Sequence, residues 1–418
     1  MGKRVLVVGG GVVGLCAAYW CACKGHRVIV VERGAPEREG CSFANAGMVV
    51  PSHLVPLASP GVVRLGLRWM WNPESPFHVK PRLSTDLLDW AWKLGRAATH
   101  AHVERAAPLL RDLHLASRAC FKEWAAQWED AFEFVEKGLL MLCRTEHGLA
   151  EESKNAALAK RLGVDGEVLS TAAIAALEPD LRMTIAGGVF YPLDAHLTPG
   201  RFMAALQRQT RLLGVELRHS TDVLGWKTDK QRIDAAQTSA GPIEADEFVL
   251  CGGVWSAALA RQLGLRLPLQ AGKGYSLTLA SPSVRPRTCA ILSEARVAVT
   301  PMGASLRLGG TMEIAGIDES INPVRIRGIV KSVAAYYPEM TPSLLDHAEV
   351  RTGLRPCSPD GLPYIGRFAR LANLSTATGH AMMGVSLAPI TGKLIAEILS
   401  DERASCAVDA LSPDRYAT

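Results

Sequence analysis

Three glycines near the N-terminus, Gly9, Gly11 and Gly14, have the GxGxxG spacing of a phosphate-binding turn. A short apolar run, residues 4 to 8, precedes them, and an apolar run of helical length, residues 12 to 23, follows. Gly9 permits a tight turn, Gly11 leaves room for a pyrophosphate, and Gly14 lets the helix pack closely on the sheet. The amides at the helix N-terminus would then stabilise the phosphate charge.

An acidic residue stands where the second strand of this unit would end. Residues 27 to 31 are predicted to form that strand, and Glu32 follows it directly. Its carboxylate would accept hydrogen bonds from ribose hydroxyls. A glycine-rich turn in any α/β protein is the structural alternative, but here strand, turn, helix, strand and acid occur in the required order. The stretch therefore predicts a dinucleotide-binding unit.

Length and composition place this unit in a larger folded protein. The chain has 418 residues, 48% of them hydrophobic and 21% charged, which predicts a folded protein with two domains. A formal net charge of +5 favours anionic ligands slightly and gives no indication of nucleic-acid binding. The ten cysteines form no CxxC pair, so no metal site is predicted and a reducing cytosol fits their usage.

The loop after Glu32 resembles the segment that runs under the flavin in the D-amino-acid oxidase and dehydrogenase superfamily. The superfamily motif S-x-A-N-A-G matches Ser42, Ala44, Asn45, Ala46 and Gly47. Residues 351–366 (RTGLRPCSPDGLPYIG) and 374–394 resemble its C-terminal signature, and residues 245–264 its cofactor-contacting turn. The resemblance is nearest to bacterial D-amino-acid dehydrogenases, including those acting on hydroxy-D-prolines.

This resemblance implies an α/β fold, α+β overall, with a Rossmann-like FAD-binding domain and an inserted substrate domain. The FAD-binding domain is predicted over residues 1–60, 145–264 and 340–418, and the substrate domain over residues 61–144 and 265–339. Alternating apolar residues between 265 and 310 favour antiparallel strands. The substrate domain is therefore predicted to build a mixed or antiparallel sheet over a ligand cavity.

The resemblance also implies non-covalent FAD. Sarcosine oxidases attach their flavin to a cysteine near the C-terminus, where this chain has Ala381, Met382 and Met383 instead. The residues predicted to contact FAD are Gly9, Gly11, Val12, Val13, Gly14, Glu32, Arg33, Ser42, Asn45, Ala46, Gly47, Met48, Val223 (at the adenine), Gly252, Gly253, Trp255, Gly353, Gly379, His380, Met382, Met383, Gly384 and Val385.

Arg355, in the motif GLRP, matches the superfamily's carboxylate-binding arginine. A guanidinium binds a carboxylate through two parallel hydrogen bonds, whereas the structural alternative is an ion pair within the protein. Arg351 would lie on the same face of an extended segment and is expected to be structural. Tyr275 is predicted to contact the substrate or to belong to the core, and the same two alternatives apply to Lys273. His53 is a further pocket candidate, with a surface position as its alternative.

The implied reaction is oxidative deamination of a D-amino acid, with hydride transfer from Cα to flavin N5. The imine product would then hydrolyse to a 2-oxo acid. This chemistry requires alignment more than a base, and no residue is predicted to act as one. His380 would either stabilise negative charge on the reduced flavin or serve structurally while the amides of residues 382–385 stabilise that charge; the second role is favoured.

Several alternatives remain open for the acceptor and the function. The electrons would pass to a membrane quinone or another acceptor, or to oxygen in an oxidase of glycine, sarcosine or D-amino acids. An FAD domain acting on a modified tRNA base and a non-catalytic flavin subunit are further alternatives. Residues 61–77 would contact a membrane through Trp69, Trp71 and two arginines, or else cover the substrate domain's core. The protein is expected in the cytoplasm. If residues 61–77 contact a membrane, it would lie on the inner face of the cytoplasmic membrane.

Overall fold

The computed structural model describes residues 2–37, 40–69, 72 and 74–417, with the backbone alone at Leu67. Its strands in these ranges are β1 (Arg4–Val8), β2 (Arg27–Val31), β3 (Met48–Val49), β4 (Phe77–Val79), β5 (Leu139–Cys143), β6 (Glu167–Leu169), β7 (Gly187–Tyr191), β8 (Ala195–His196), β9 (Glu216–Arg218), β10 (Val223–Asp229), β11 (Arg232–Thr238), β12 (Gly241–Glu244), β13 (Glu247–Leu250), β14 (Gln270–Leu279), β15 (Cys289–Leu292), β16 (Val297–Met302), β17 (Ser305–Ile314), β18 (Glu349–Cys357), β19 (Tyr364–Arg367) and β20 (Leu374–Thr378).

The α-helices in the same ranges carry most of the long connections between these strands. They are α1 (Val12–Cys23), α2 (Val62–Trp69), α3 (Thr85–Ala97), α4 (His100–Gln127), α5 (Glu146–Arg161), α6 (Thr171–Leu177), α7 (Pro199–Leu212), α8 (Ser256–Arg261), α9 (Pro323–Tyr336), α10 (Pro342–Leu345) and α11 (Gly384–Leu399). The predicted strand and helix around the glycine turn are confirmed as β1 and α1.

A six-stranded sheet contains the glycine turn at its centre. Its strand order is β19-β20-β13-β1-β2-β9, and all pairs are parallel except β19 with β20. The chain leaves β1 through α1 to β2 on one side, while β13 pairs on the other side. The order of connection therefore reverses at β1, and ligands of such sheets bind outside the carboxyl ends of the strands at this position.

Helix α11 packs against α1 and buries most of its length in the core. A Cβ on Gly392 would overlap backbone atoms of Cys16, so the two helices approach closely at this point. Apolar residues of β1, β2, β13, α1, α4 and α11 form one continuous cluster. Residues from both ends of the chain thus share one apolar core.

A nine-stranded mixed sheet forms the other half. The order is β18-β14-β17-β16-β15-β5-β7-β6, with β4 paired to β17. The four strands from 270 to 314 pair in antiparallel fashion as predicted, apart from their junction to β5, which is parallel. Helix α9 packs on one face, where Ile329 and Val333 join the apolar cluster of β14 to β17.

Three strands within the ranges predicted for the FAD-binding domain pair into this larger sheet. They are β7, which pairs with β5, then β6, which pairs with β7, and β18, which pairs with β14. Strand pairing joins residues far apart in sequence, so a local pattern does not indicate which sheet a short strand enters. The domain boundaries given by sequence stay a prediction. These three strands depart from it, because they belong to the nine-stranded sheet rather than to the six-stranded one.

Among the described residues, one helical stretch, Ala381–Leu399, is long and apolar enough to cross a membrane by length and composition. Within this protein 78% of that stretch is buried, as in the core helix of a folded domain. Its apolar character is thus accounted for by its packing against α1 and α4.

Candidate functional site

The glycine turn follows the carboxyl end of β1 and is held by backbone contacts. Gly9 has a φ of +112°, and a Cβ on it would lie 2.5 Å from the carbonyl oxygen of Cys251. A Cβ on Gly14 would overlap the carbonyl oxygen of Gly9. The turn, the first turn of α1 and the end of β13 therefore approach one another as only glycine permits.

Gly11 faces open space instead. It precedes α1 without a side-chain cap, whereas α3, α4, α5, α6, α9 and α10 each begin with a hydroxyl or amide cap. A Cβ on Gly11 would have one described atom within 4 Å, Ser42 Oγ at 3.6 Å. The amide of Val12 donates to that hydroxyl at 3.0 Å. The amides of Val13 and Gly14 have no acceptor one turn earlier in the helix, which suits an anionic group in front of Gly11.

Glu32 is fixed beside this turn. Its Oε2 accepts a hydrogen bond from the amide of Gly10 and its Oε1 one from Gly34, both at 2.8 Å. The carbonyl of Glu32 accepts from Thr221 at 2.9 Å, which brings Val223, at the start of β10, close to the end of β2. The structure therefore places the predicted ribose and adenine contacts on one side of the glycine turn.

The turn after β13 lies on the other side of β1. Gly252 and Gly253 precede Trp255, and the Arg33 guanidinium lies over the Trp255 ring, 3.7 Å from its centroid. This cation–π pair joins the ends of β2 and β13, between which β1 and its glycine turn lie. The four predicted residues thus gather at the same edge of the sheet.

The S-x-A-N-A-G loop lies between the two large sheets. Asn45 Oδ1 accepts from the amide of Gly47 at 2.8 Å, and Met48 pairs with His196 in β3 and β8. Ala46 lies against Gly309 of β17, whose Cβ, were it present, would be 3.3 Å from the Ala46 Cβ. The loop therefore connects the six-stranded sheet to one face of the nine-stranded sheet.

Arg307 holds this loop and was missed by the sequence analysis. Its Nη1 donates to the carbonyl oxygens of Phe43 at 2.6 Å and Asn45 at 3.0 Å, while Nε donates to Thr278 Oγ1 at 3.1 Å. Nothing local distinguishes Arg307 from other arginines in strands, because its acceptors come from a loop far away in sequence. Only the folded chain identifies it.

The turn before α11 brings together the predicted C-terminal contacts Gly379, His380, Met382, Met383, Gly384 and Val385. Gly379 has a φ of +82° and Ala381 one of +48°, so the chain turns sharply into the helix. The N-terminus of α11 has no side-chain cap. The amides there are available to stabilise negative charge, as the favoured alternative for this turn required.

A second group missed from the sequence anchors this helix start. Ser386 Oγ accepts from the amide of Val50 at 3.1 Å and lies 3.0 Å from His114 Nδ1. Ser117 donates to the carbonyl oxygen of Ser386 at 2.6 Å. These contacts tie α11 to α4 and to the end of the S-x-A-N-A-G loop, so the two segments that the resemblance places at the flavin are held by one buried network.

His380 is buried, and its Nε2 lies 2.9 Å from Thr391 Oγ1. Desolvation by burial lowers the pKa of this imidazole to about 3, so it is neutral near pH 7. A neutral ring supplies no positive charge to a reduced flavin. His380 thus occupies a buried position beside Thr391, and its role at the flavin stays a prediction.

This burial makes folding sensitive to acid. The unfolded chain protonates His380 near its ordinary pKa of 6.5, whereas the folded protein does so only near 3, so stability is lost as the pH falls below 6.5. We expect His380→Asn to reduce the loss of unfolding free energy between pH 7 and pH 5 by about 2 kcal/mol. Urea unfolding at both pH values measures this change. The exposed His347, changed to Asn, is the control, and an unaltered difference between the two pH values in His380→Asn would contradict the expectation.

Arg355 lies on β18 and is half-buried. Its Nη1 donates to the carbonyl oxygen of Thr311 at 2.7 Å. No carboxylate of the described residues lies within ion-pair distance of this guanidinium. Gly353, two residues earlier, lies against the start of the S-x-A-N-A-G loop. A Cβ on Gly353 would be 2.9 Å from Sγ of Cys41, the residue before that loop. Arg355 therefore belongs to the face that the loop covers, with donors left over for an anion.

Tyr275 lies on the opposite face, which corrects its predicted contact with the substrate. The register between β14 and β18 is regular and pairs Gly272 with Arg355, so Tyr275 points to the other side of the sheet. Its hydroxyl donates to Glu313 Oε2 at 2.9 Å, and its ring packs in the cluster under α9. Tyr275 is the core tyrosine of the second alternative. Lys273, on the same side, donates to Asp318 at 2.8 Å and is likewise structural.

The two remaining candidates lie at the margins of the site. His53 is half-buried after β3, with Nδ1 3.2 Å from Ser52 Oγ, and desolvation, assisted by Arg296, lowers its pKa to about 4. It is therefore neither a free surface histidine nor a charged ligand near pH 7. Arg351 shares the face of Arg355 and pairs with Glu349 at 2.8 Å, as expected for a structural arginine.

Comparison with known proteins gives concordant results. Residues 4–398 match the model of the DAO family, described as FAD dependent oxidoreductase. The D-amino acid dehydrogenase of Granulibacter bethesdensis is 33% identical over 99% of this chain and 100% of its own length. That of Bradyrhizobium diazoefficiens is 33% identical over 99% of each chain. Among solved structures, glycine oxidase from Geobacillus kaustophilus superposes with a TM-score of 0.79 at 24% identity, over 99% of both chains.

The residues described above fit the dinucleotide that the family description names. Open space in front of Gly11 and uncapped amides suit the pyrophosphate, and the fixed carboxylate of Glu32 suits a ribose. Helix α11, whose N-terminus also lacks a side-chain cap, begins beside the loop that the resemblance places under the flavin. The resemblance places the N-terminus of α1 at the phosphates and that of α11 at the flavin ring.

Proposed function

The chain belongs to the DAO family of FAD-dependent oxidoreductases, and on this premise we propose that it oxidises a D-amino acid to an imine that water hydrolyses. Full-length similarity to relatives named D-amino acid dehydrogenase supports the substrate class. D-proline and hydroxy-D-prolines are the particular substrates proposed. Bound FAD supplies the acceptor for the two electrons of the substrate's Cα–H bond.

Arg355 is the single observation that carries the proposal. Burial of a guanidinium favours pairing with a carboxylate, yet the half-buried Arg355 has only the Thr311 carbonyl among the described residues. Its remaining donors match a carboxylate through two parallel hydrogen bonds. It also lies on the face covered by the loop between the two sheets. An anionic substrate bound there would be held against the flavin-facing segments.

The protein's part in the reaction is orientation. Arg355 would hold the carboxylate, and the amides at the start of α11 would stabilise negative charge that develops beside them. Neither His380 nor Tyr275 would accept a proton from the substrate. His380 is hydrogen-bonded to Thr391, and Tyr275 lies on the other face of the sheet with a raised pKa. The substrate amine would therefore arrive neutral. Its own lone pair then assists departure of the Cα hydrogen.

One panel of substrates tests the proposal and its chief alternative. Purified enzyme is given D- and L-amino acids, including D-proline, hydroxy-D-proline, glycine and sarcosine, with a dye or a soluble quinone as acceptor and with oxygen alone. We expect dye reduction with D-amino acids and little peroxide. Rapid stoichiometric peroxide formation would favour an oxygen-using oxidase, and the absence of turnover with every amino acid would refute the proposal. Release of the flavin by acid precipitation checks that it is bound without a covalent link.

We further propose that the protein is cytoplasmic and contacts the inner face of the membrane through α2 and α3. Val63, Arg64 and Arg68 of α2 are exposed, and α3 exposes Leu88 and Trp92. Val62 packs into the same apolar cluster as the buried side of α3, so the two helices present one region of the surface. Exposed apolar and cationic residues together suit anionic lipid. Met70 and Trp71 of this proposal lie outside the described residues.

Charge reversal tests this contact. We expect wild-type protein to co-sediment in part with vesicles of anionic phospholipid, and the double variant Arg64→Glu with Arg68→Glu to be released, because each arginine contributes about 1 kcal/mol of attraction. The pair Arg208→Glu and Arg211→Glu, also exposed and on α7, makes the same change in charge elsewhere. Equal release by both double variants, or no binding by the wild type, would contradict the proposed surface.

A further inference from the structure

The sheet is irregular at the place that Arg355 reaches. Lys273 pairs with Glu313 and Tyr275 pairs with Gly310, so the single residue Gly274 of β14 faces two residues of β17, Thr311 and Met312. This arrangement is a β-bulge, which bends a strand and redirects the groups beside it. The register of β14 with β18 on its other side is regular. The irregularity therefore concerns β17 alone.

Thr311, within this bulge, has an unusual backbone conformation. Its φ is +60°, which a β-branched residue rarely adopts. The side chain gives no compensation, because Thr311 Oγ1 is buried without a hydrogen-bond partner. A carbonyl of a regular strand lies in the plane of the sheet and bonds to a neighbouring strand. In the bulge, the carbonyl of Thr311 instead accepts from Arg355, whose own strand is two positions away in the sheet.

Gly274 lies directly beneath the Arg355 side chain. Strand β14 separates β18 from β17, so the Arg355 side chain crosses β14 to reach the Thr311 carbonyl. A Cβ on Gly274 would overlap Nη1, Nη2 and Cζ of Arg355, so the whole guanidinium lies on the backbone at this glycine. Any other residue would lift the guanidinium away from the sheet. The φ of Gly274 is ordinary and does not require glycine. Glycine is needed there because the guanidinium occupies the space of a Cβ.

We propose that Gly274 and the bulge carbonyl of Thr311 are positioning residues that aim Arg355 at the substrate carboxylate. Gly274 sets the height of the guanidinium above the sheet, and the Thr311 carbonyl holds one Nη1 hydrogen and so fixes the rotation of the fork. The other donors face away from this contact and remain free for two parallel bonds to a carboxylate. The inference rests on the proposed function of Arg355, and it explains why a strained threonine persists at a site without a role for its hydroxyl.

A double-mutant cycle between positions 274 and 355 tests this role. Gly274→Ala should lower kcat/KM for the best D-amino acid of the panel by about 100-fold, as expected for a displacement of about 1 Å. It should also weaken binding of acetate, followed through the flavin absorbance, while turnover of the corresponding amine without a carboxylate is unchanged. In the Arg355→Lys background, the same alanine should cost little more, since lysine has no planar group over Gly274. Equal losses in both backgrounds would overturn the inference.

Two further variants keep the test decisive. Gly225→Ala, at a strand position where a Cβ would meet one described atom, Gln262 Oε1 at 3.8 Å, is the control for the glycine change. If Gly274→Ala does not fold, combining it with Arg355→Ala should restore yellow soluble protein, and failure of that pair too would overturn the inference.

The same variants separate this inference from the proposed function. Unchanged kcat/KM in Arg355→Ala would refute carboxylate binding by Arg355 itself. A strong loss in Arg355→Ala, combined with independent effects of Gly274→Ala and Arg355→Lys, would leave the proposed function intact and reject only the positioning role.

Discussion

Gly11→Val is expected to yield a folded protein that purifies without FAD. The fold does not need glycine at this position for its own contacts, because a Cβ there would meet only Ser42 Oγ, at 3.6 Å. A valine side chain would instead occupy the space in front of α1 where the pyrophosphate would approach the backbone. Loss of the yellow absorbance with an unchanged far-ultraviolet circular dichroism spectrum is the measurement.

A matched substitution shows that the loss is local. Gly200 lies at the start of another helix, α7, and a Cβ on it has no described atom within 4 Å. Gly200→Val therefore makes the same chemical change at an open helix start, and it should keep the full content of flavin. FAD at the wild-type level in Gly11→Val would contradict the assignment of the pyrophosphate to this turn. A variant that binds stoichiometric NAD but no flavin would contradict the assignment of the cofactor.

The nucleotide-binding half was predictable because its signals are local. The glycine turn, helix and acid all lie between residues 4 and 32, and each is positioned by neighbours in the same stretch: β1 pairs with β2, and Glu32 bonds to Gly10. Over such distances, the length and periodicity of hydrophobic runs predict whether a segment forms a strand or a helix. The pairing of β1 with β13 is one of the long-range contacts that the site requires at this edge.

The substrate side was less predictable because it depends on register. Whether Tyr275 faces the cavity or the core is decided by its pairing with Thr352, since a shift of one residue exchanges the two faces of a strand. The bulge at Thr311 is harder still, because a β-branched residue at positive φ opposes local propensity. Such departures from local preference concentrate at functional sites, which is where we propose that this one lies.

Arg355→Ala is expected to lower kcat/KM for the D-amino acid substrate by about thirtyfold to several thousandfold. Removing one partner of a desolvated charge pair costs about 2–5 kcal/mol, much of it because the other charge is left unpaired. The flavin spectrum should persist, because Arg355 bonds to Thr311 and to no residue of the glycine turn among the described contacts. The effect should fall on carboxylate substrates and spare the corresponding amines.

Neighbouring arginines make this prediction specific. Arg351 shares the face of Arg355 but is paired with Glu349, so Arg351→Ala removes the same charge from the same strand and should leave kcat/KM near the wild-type value. Arg355→Lys keeps the charge but loses the planar fork, and should recover only part of the activity. Near wild-type kinetics in Arg355→Ala with FAD bound would mean that the carboxylate is held elsewhere. In that case the free donors of Arg355 would serve the fold alone, and the amides at the start of α11 would be the next candidates for binding the anion.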